Sequence, residues 1–335
     1  MMFGFRTKLL TSVSAAAVVA LVGASAAAAQ SAPPKPYSVD LFIQGGYAFS
    51  SGNDTPFAEV RSGGFGSPAK AILGVDSGDG WDGKVGGAVH FMNVWSAQLA
   101  YTGLRTRRSV GTGNYTPSFP LVTVLAGGVV GGPGVGTSWN RASVRSDTRA
   151  DIIDFQAGYD IGLGDISTTV LGGVRFGSFD QKTDATFFTS SGTPIVDNTR
   201  HSRFQGIGPT LGAKAEMPLP VPVAGIGIEG SVVGGVLFGQ VKSQTSAQFL
   251  PSGALLSHNV SKDTASPNVD AELALTYGMP VGGAKLQLAA GYQMSYYGSV
   301  RDSANGASST GSEHFGSTTD DLLYHGPFVR LKASF

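Results

Sequence analysis

His90, His201, His258, His314 and His325 are the side chains of this sequence best suited to general acid–base chemistry near neutral pH. A histidine on a strand works with an acid or a hydroxyl on its own face, two residues away. No Asp lies two residues from any of the five, none is followed by Ser at that spacing, and Glu313 and His314 are adjacent, hence on opposite faces of a strand. The sequence argues against an enzyme, and histidines this scattered argue against a metal site. The chain has no Cys, which removes thiolate ligands, a Cys nucleophile and disulfides together. Asp76-Ser77-Gly78-Asp79-Gly80-Trp81-Asp82 holds the hard carboxylate ligands that calcium prefers. It lacks the twelve-residue spacing and closing Glu of a calcium loop and reads as a solvated turn, so no cofactor is expected.

Charge is the remaining chemistry. The 23 Lys and Arg balance 23 Asp and Glu, without a basic stripe, which excludes nucleic acid as a partner. Position along the chain matters more than number. Val269, Ala271, Leu273, Leu275 and Tyr277 occupy one parity, and Asp270, Glu272, Ala274 and Thr276 the other. Leu286, Leu288, Ala290, Tyr292, Met294 and Tyr296 then alternate with Lys285, Gln287, Ala289, Gly291, Gln293 and Ser295. A period of two is that of strands. With the apolar parity toward lipid, the other parity sends into an interior Asp40, Lys84, His90, Asp154, Asp160, Arg175, Lys214, Glu216, Glu229, Asp270, Glu272, Lys285, Arg330 and Lys332. Both signs in one lumen leave two alternatives. They line an open pore and set its selectivity, or they pair and close it.

The elements that position these groups are strands of a membrane barrel. After the N-terminal region no segment has the 18 or more consecutive apolar residues of a spanning helix, so a membrane would be crossed by strands. Ten are predicted, near 38–49, 83–92, 95–108, 145–161, 166–185, 201–216, 225–247, 267–278, 284–300 and 321–335. Tight turns join them near Asn93 and at 162–165, 217–224 and 279–283. Long polar loops are expected at 50–82, 109–144, 186–200, 248–266 and 302–319. Alternation of short turns and long loops, with an even strand number, is the plan of an all-β, antiparallel, up-and-down transmembrane barrel with periplasmic turns and extracellular loops. Trp95, Tyr101, Tyr159, Phe176, Tyr292, Tyr296 and Tyr324 suit the interfacial girdles. The apolar, Gly-rich stretch from Leu121 to Gly136 stands out within a polar loop, as a constriction, a contact patch or a loop packed on the rim.

Delivery is read from the N-terminus. Arg6 and Lys8 precede an apolar run from Leu9 to Gly23 and the small residues Ala26-Ala27-Ala28-Ala29, the order of a secretory signal. Cleavage is expected after Ala29, leaving a short periplasmic segment at 30–37 and the barrel at 38–335.

At the other end, Val329, Leu331, Ala333 and Phe335 share one face of an alternating last segment. A terminal Phe on such a strand, with Val329 and Leu331, resembles the signal by which the barrel-insertion machinery recognises outer-membrane proteins. Asp154-Phe155-Gln156-Ala157-Gly158-Tyr159, Val170-Leu171-Gly172-Gly173-Val174-Arg175-Phe176, Phe204-Gln205-Gly206-Ile207-Gly208-Pro209 and Gly234-Gly235-Val236-Leu237-Phe238-Gly239 follow at hairpin spacing. In this order the chain resembles the pore-forming family that includes the Legionella-type major outer membrane protein, over about 150–245 and the last strand. The resemblance implies a barrel and a passive pore for small hydrophilic solutes or ions, with no catalytic residues to carry over. The Cys residues of that type protein are missing, which weighs against disulfide-linked assembly. A closed structural or adhesive surface barrel, acting through its extracellular loops, is the alternative. Either would sit in the bacterial outer membrane among its lipids and lipopolysaccharide, as one copy or a homo-oligomer.

Overall fold

The computed structural model describes residues 37–335 apart from 52–54, 62–68, 93, 112–123, 126–127, 130–140, 163–165, 221–224, 251–252, 254 and 306–315. The expected signal at 1–29, most of the segment at 30–37 and nearly all of the Gly-rich stretch in the second long loop lie outside the described residues. Fourteen strands are described: β1 Tyr37–Ser51, β2 Thr55–Arg61, β3 Ala69–Val75, β4 Asp79–Phe91, β5 Trp95–Gly111, β6 Val124–Leu125, β7 Gly128–Val129, β8 Arg141–Asp160, β9 Ser167–Phe188, β10 Pro194–Pro218, β11 Ile226–Phe249, β12 Leu255–Val281, β13 Ala284–Asn305 and β14 Gly316–Ser334.

Ten of them close an antiparallel barrel in the order β1-β14-β13-β12-β11-β10-β9-β8-β5-β4. These are the ten segments that the period of two marks. Closure joins the two ends of the chain: β1 pairs with β14, and Val39 and Phe335 exchange backbone hydrogen bonds of 3.2 and 3.0 Å. Closure leaves the wall no free strand edge, which the hydrocarbon layer requires. The remaining strands form small hairpins outside the wall, β2 with β3 and β6 with β7.

The outer surface near the short turns is apolar. Leu211, Leu273, Phe155 and Leu99 are 56–69% exposed, which only lipid makes favourable. Trp95 and Tyr159 mark its lower edge, with ring centroids 4.9 Å apart. Glycine appears where two strands of the curved wall touch: a Cβ on Gly173 would lie 2.1 Å from the carbonyl oxygen of Phe155.

Two expected loops are corrected. Residues 186–200 and 248–266 belong mostly to strands: β9 ends at Phe188 and β10 starts at Pro194, and β11 ends at Phe249 and β12 starts at Leu255. The alternation fails there because the outer face turns polar and the inner face mixes polar side chains with a few apolar ones such as Phe187 and Val196. Asn198, Arg200 and Ser202 point inward while Thr199, His201 and Arg203 point outward, and the backbone ladder continues without an apolar parity to signal it. Strands β8 to β12 are thus 20–27 residues long, about twice what a crossing needs, and the wall rises well beyond the outer leaflet.

Candidate functional site: the barrel interior

The interior is stacked in layers from the periplasmic end upward. Lowest is a vestibule of about 570 Å³ whose lining includes charged side chains from β1, β4, β8, β10, β11, β12 and β14. Arg330 on β14 donates to Glu229 on β11 at 2.5 Å and to Glu272 on β12 at 2.8 Å. Lys84 on β4 reaches the same Glu272 at 2.8 Å. Lys214 lies 2.9 Å from Glu216 and 3.4 Å from Glu229, and Lys332 lies 3.4 Å from Glu216 and 3.7 Å from Asp40. Four carboxylates meet four cations. Several of these pairs run between strands three or four positions apart in a ring of ten, so they tie opposite walls together. His90 contacts Asp40 at 3.2 Å, and Asp160 accepts a hydrogen bond from Thr169.

Above this the space narrows to about 50 Å³ around Arg175. Its guanidinium holds both oxygens of Asp154, at 2.6 and 3.0 Å, donates to Asn268 at 2.8 Å and pairs with Asp270. Tyr297 donates to Asp270 at 3.1 Å, and Gln293 bridges Gln44 and Asp82. The side chain of Arg175 is 3% exposed, so these are bonds among desolvated groups, each dependent on the others.

The next layer is apolar. Leu104, Ile152, Phe179, Phe204, Leu237, Tyr297, Leu322 and Tyr324 are at most 3% exposed and form one cluster with Val241 and Val300. Phe179 on β9 and Tyr297 on β13 meet across the interior with ring centroids 4.7 Å apart. A second apolar group, with Val144, Phe187, Ile195 and Val196, lies higher in the wall.

The structure brings the sequence-predicted lumen residues together with one exception. Lys285 shares the inward parity but sits exposed at the periplasmic rim. Tyr324 is also corrected: expected in a lipid-facing girdle, it is 3% exposed inside the barrel, because the parity of Val329, Leu331 and Phe335 turns it inward. Asp76 accepts a 2.9 Å bond from the amide of Gly78, whereas Asp82 faces the interior, so the acidic run divides between two surroundings. The apolar layer was not anticipated. Its signal was present as Ile152, Phe179, Phe204 and Leu237, which lie on the parity that carries the charges lower down.

One histidine pair also escapes spacing rules. His201 lies 2.9 Å from Asp180, a diagonal neighbour on the adjoining strand, on the outer face of the extracellular wall. The hydrogen bond to Asp180 raises the His201 pKa above its ordinary 6.5; burial opposes the shift and attraction by the carboxylate adds to it. Because the folded value is the higher one, the stabilisation is complete below 6.5 and is lost as pH rises through the folded pKa. An NMR titration should place His201 above 6.5, and Asp180→Asn should bring it back toward that value. An unchanged titration in the variant would show that Asp180 is not the cause.

A closed antiparallel barrel with a lipid-facing apolar band and a charged interior defines an outer-membrane β-barrel protein. The family model described as Legionella pneumophila major outer membrane protein precursor matches residues 62–335, and the chain belongs to that family. No curated protein matches the sequence. Among solved structures, the chain is similar to the outer membrane protease OmpT from Escherichia coli at 11% identity and TM-score 0.42, over 92% of this chain and 99% of that one. It is similar to a major outer membrane protein from Thermus thermophilus at 11% identity and TM-score 0.34, over 88% and 100%. It is similar to the translocator domain of the autotransporter NalP from Neisseria meningitidis at 15% identity and TM-score 0.33, over 96% and 97%. Likenesses at these scores say nothing about activity.

Proposed function

We propose that this protein is a closed outer-membrane barrel that supports an extended extracellular wall, rather than a passive pore open at rest. The observation that carries this reading is the apolar layer of residues at most 3% exposed, stacked above the Arg175 neck. Water and ions cross neither a packed aromatic layer nor a desolvated ion pair without displacing it. The strand lengths agree with it, since about half of β10 to β12 exceeds the crossing length and serves no purpose in the membrane. Secretion by cleavage after Ala29 and insertion through β14, with Phe335 as terminal signal, complete the proposal.

The purified barrel, its folding verified by heat-modifiable migration on a gel, is expected to give no stepwise current in planar bilayers. Reproducible wild-type conductance at low voltage would overturn the closed barrel and restore the passive pore that the family resemblance implies. The pore reading has one observation of its own, the polar vestibule of about 570 Å³, which would be its periplasmic entrance.

A further inference from the structure

Cross-strand register on the outer face singles out one patch. Arg105 on β5 stands directly opposite Arg149 on β8, a like-charge pair of the kind that destabilises a sheet. Arg107 and Arg145 lie above them on the same face, beside Asp147, and Asp151 lies below Arg149. The carboxylates are already engaged: Asp147 pairs with Arg107 and Arg145, at 2.5 and 2.7 Å, and Asp151 with Arg149 at 2.6 Å and Tyr101 at 2.6 Å. Among the described residues no carboxylate lies within salt-bridge distance of Arg105, which is exposed. On β5 and β8 four guanidinium groups share two carboxylates, and on β9 Asp184 and Asp180 stand opposite Arg145 and Arg149 in register, so among the described residues the guanidinium of the four left without a paired carboxylate is that of Arg105.

Height gives the patch its meaning. Arg105 is ten residues up β5 from Trp95, and Arg149 ten residues up β8 from Tyr159, the edge-to-face pair of the periplasmic girdle. At about 3.3 Å per residue and a tilt of about 40°, ten residues climb about 25 Å, the height of the apolar band of such barrels. The arginines therefore stand at the outer edge of the hydrocarbon, where lipid phosphates begin. Trp81, 70% exposed, is the register neighbour of Arg105 on β4, and Phe176, 40% exposed, follows Ile153 in register on β9. Both supply apolar surface beside the charge.

We infer that the Arg105–Arg149 face binds the phosphate group of an outer-leaflet lipid, with the acyl chains lying on the apolar wall below. A planar guanidinium pairs with two phosphate oxygens at once, and an anion between Arg105 and Arg149 turns their repulsion into two attractive contacts. Arg107 and Arg145, held by Asp147, broaden the patch toward the headgroup sugars. The occupant is the phosphorylated glycolipid of that leaflet, lipopolysaccharide, because the patch adjoins lipid at phosphate depth.

The test is native mass spectrometry of the full-length mature barrel in detergent, titrated with lipid A and with its dephosphorylated form. Wild-type protein should retain the phosphorylated lipid about tenfold better. Arg105→Gln with Arg149→Gln should remove that preference while leaving binding of the dephosphorylated lipid unchanged. Equal retention of the two lipids by the wild type needs no variant and would overturn the inference, as would an undiminished preference in the folded double variant. Competition by millimolar inorganic phosphate, with lipid bound no tighter than the free ion, would reassign the patch to soluble anions and equally refute a lipid site.

Discussion

Arg175→Met is expected to destabilise the barrel by about 3–5 kcal/mol, the cost of removing one partner from a buried ionic cluster. The loss exceeds that of one bond because Asp154 and Asp270 remain behind, desolvated and facing each other without a cation. Urea unfolding in detergent, followed by heat-modifiable migration, measures it. Adding Asp154→Asn and Asp270→Asn to the Met variant should recover most of the loss, since no uncompensated charge is then buried. A single variant as stable as the wild type would mean that water solvates the neck, and the interior would then not be sealed at that level. Lys332→Met offers the contrast. Its ammonium lies beside the open vestibule, 3.4 Å from Glu216 and 3.7 Å from Asp40, and its loss should cost about 1 kcal/mol or less.

The reach of the sequence follows from where a physical asymmetry exists along each strand. Between the short turns and residues such as Tyr101, Ile153 and Phe238, one face meets lipid and the other does not, and alternation reveals the strand, its face and its inward charges. Asp154, Arg175 and Asp270 were legible for that reason. Above the membrane the asymmetry vanishes, so residues 186–200 read as loop although β9 and β10 pair through most of them. Pairings between strands distant in the chain were not legible, because period two assigns a face and never an opposing wall. Arg330 with Glu229, and Phe179 with Tyr297, follow only from barrel closure. The like-charge pair Arg105 and Arg149 was hidden for the same reason: register, absent from spacing, makes them neighbours.

Opening the interior should require two changes, because two barriers lie in series. Phe179→Ala with Tyr297→Ala removes the rings that meet across the apolar layer, at a cost of about 3–5 kcal/mol for each aromatic truncation in a packed site. Water can enter the gap thus made, which favours the lower end of that range, but the Arg175 neck of about 50 Å³ still blocks passage from the vestibule. The double variant is therefore expected to remain silent in planar bilayers. Adding Arg175→Ser joins the vestibule to the cleared layer and should produce stepwise currents. With Asp154 and Asp270 then bare on the path, cations should pass in preference to anions, as beside rings of acidic side chains. Reversal potentials under a salt gradient give the sign of that preference. Silence from the folded triple variant would place the seal in the higher apolar group around Phe187 and Ile195, whereas current from the double variant alone would show that Arg175 does not block ions.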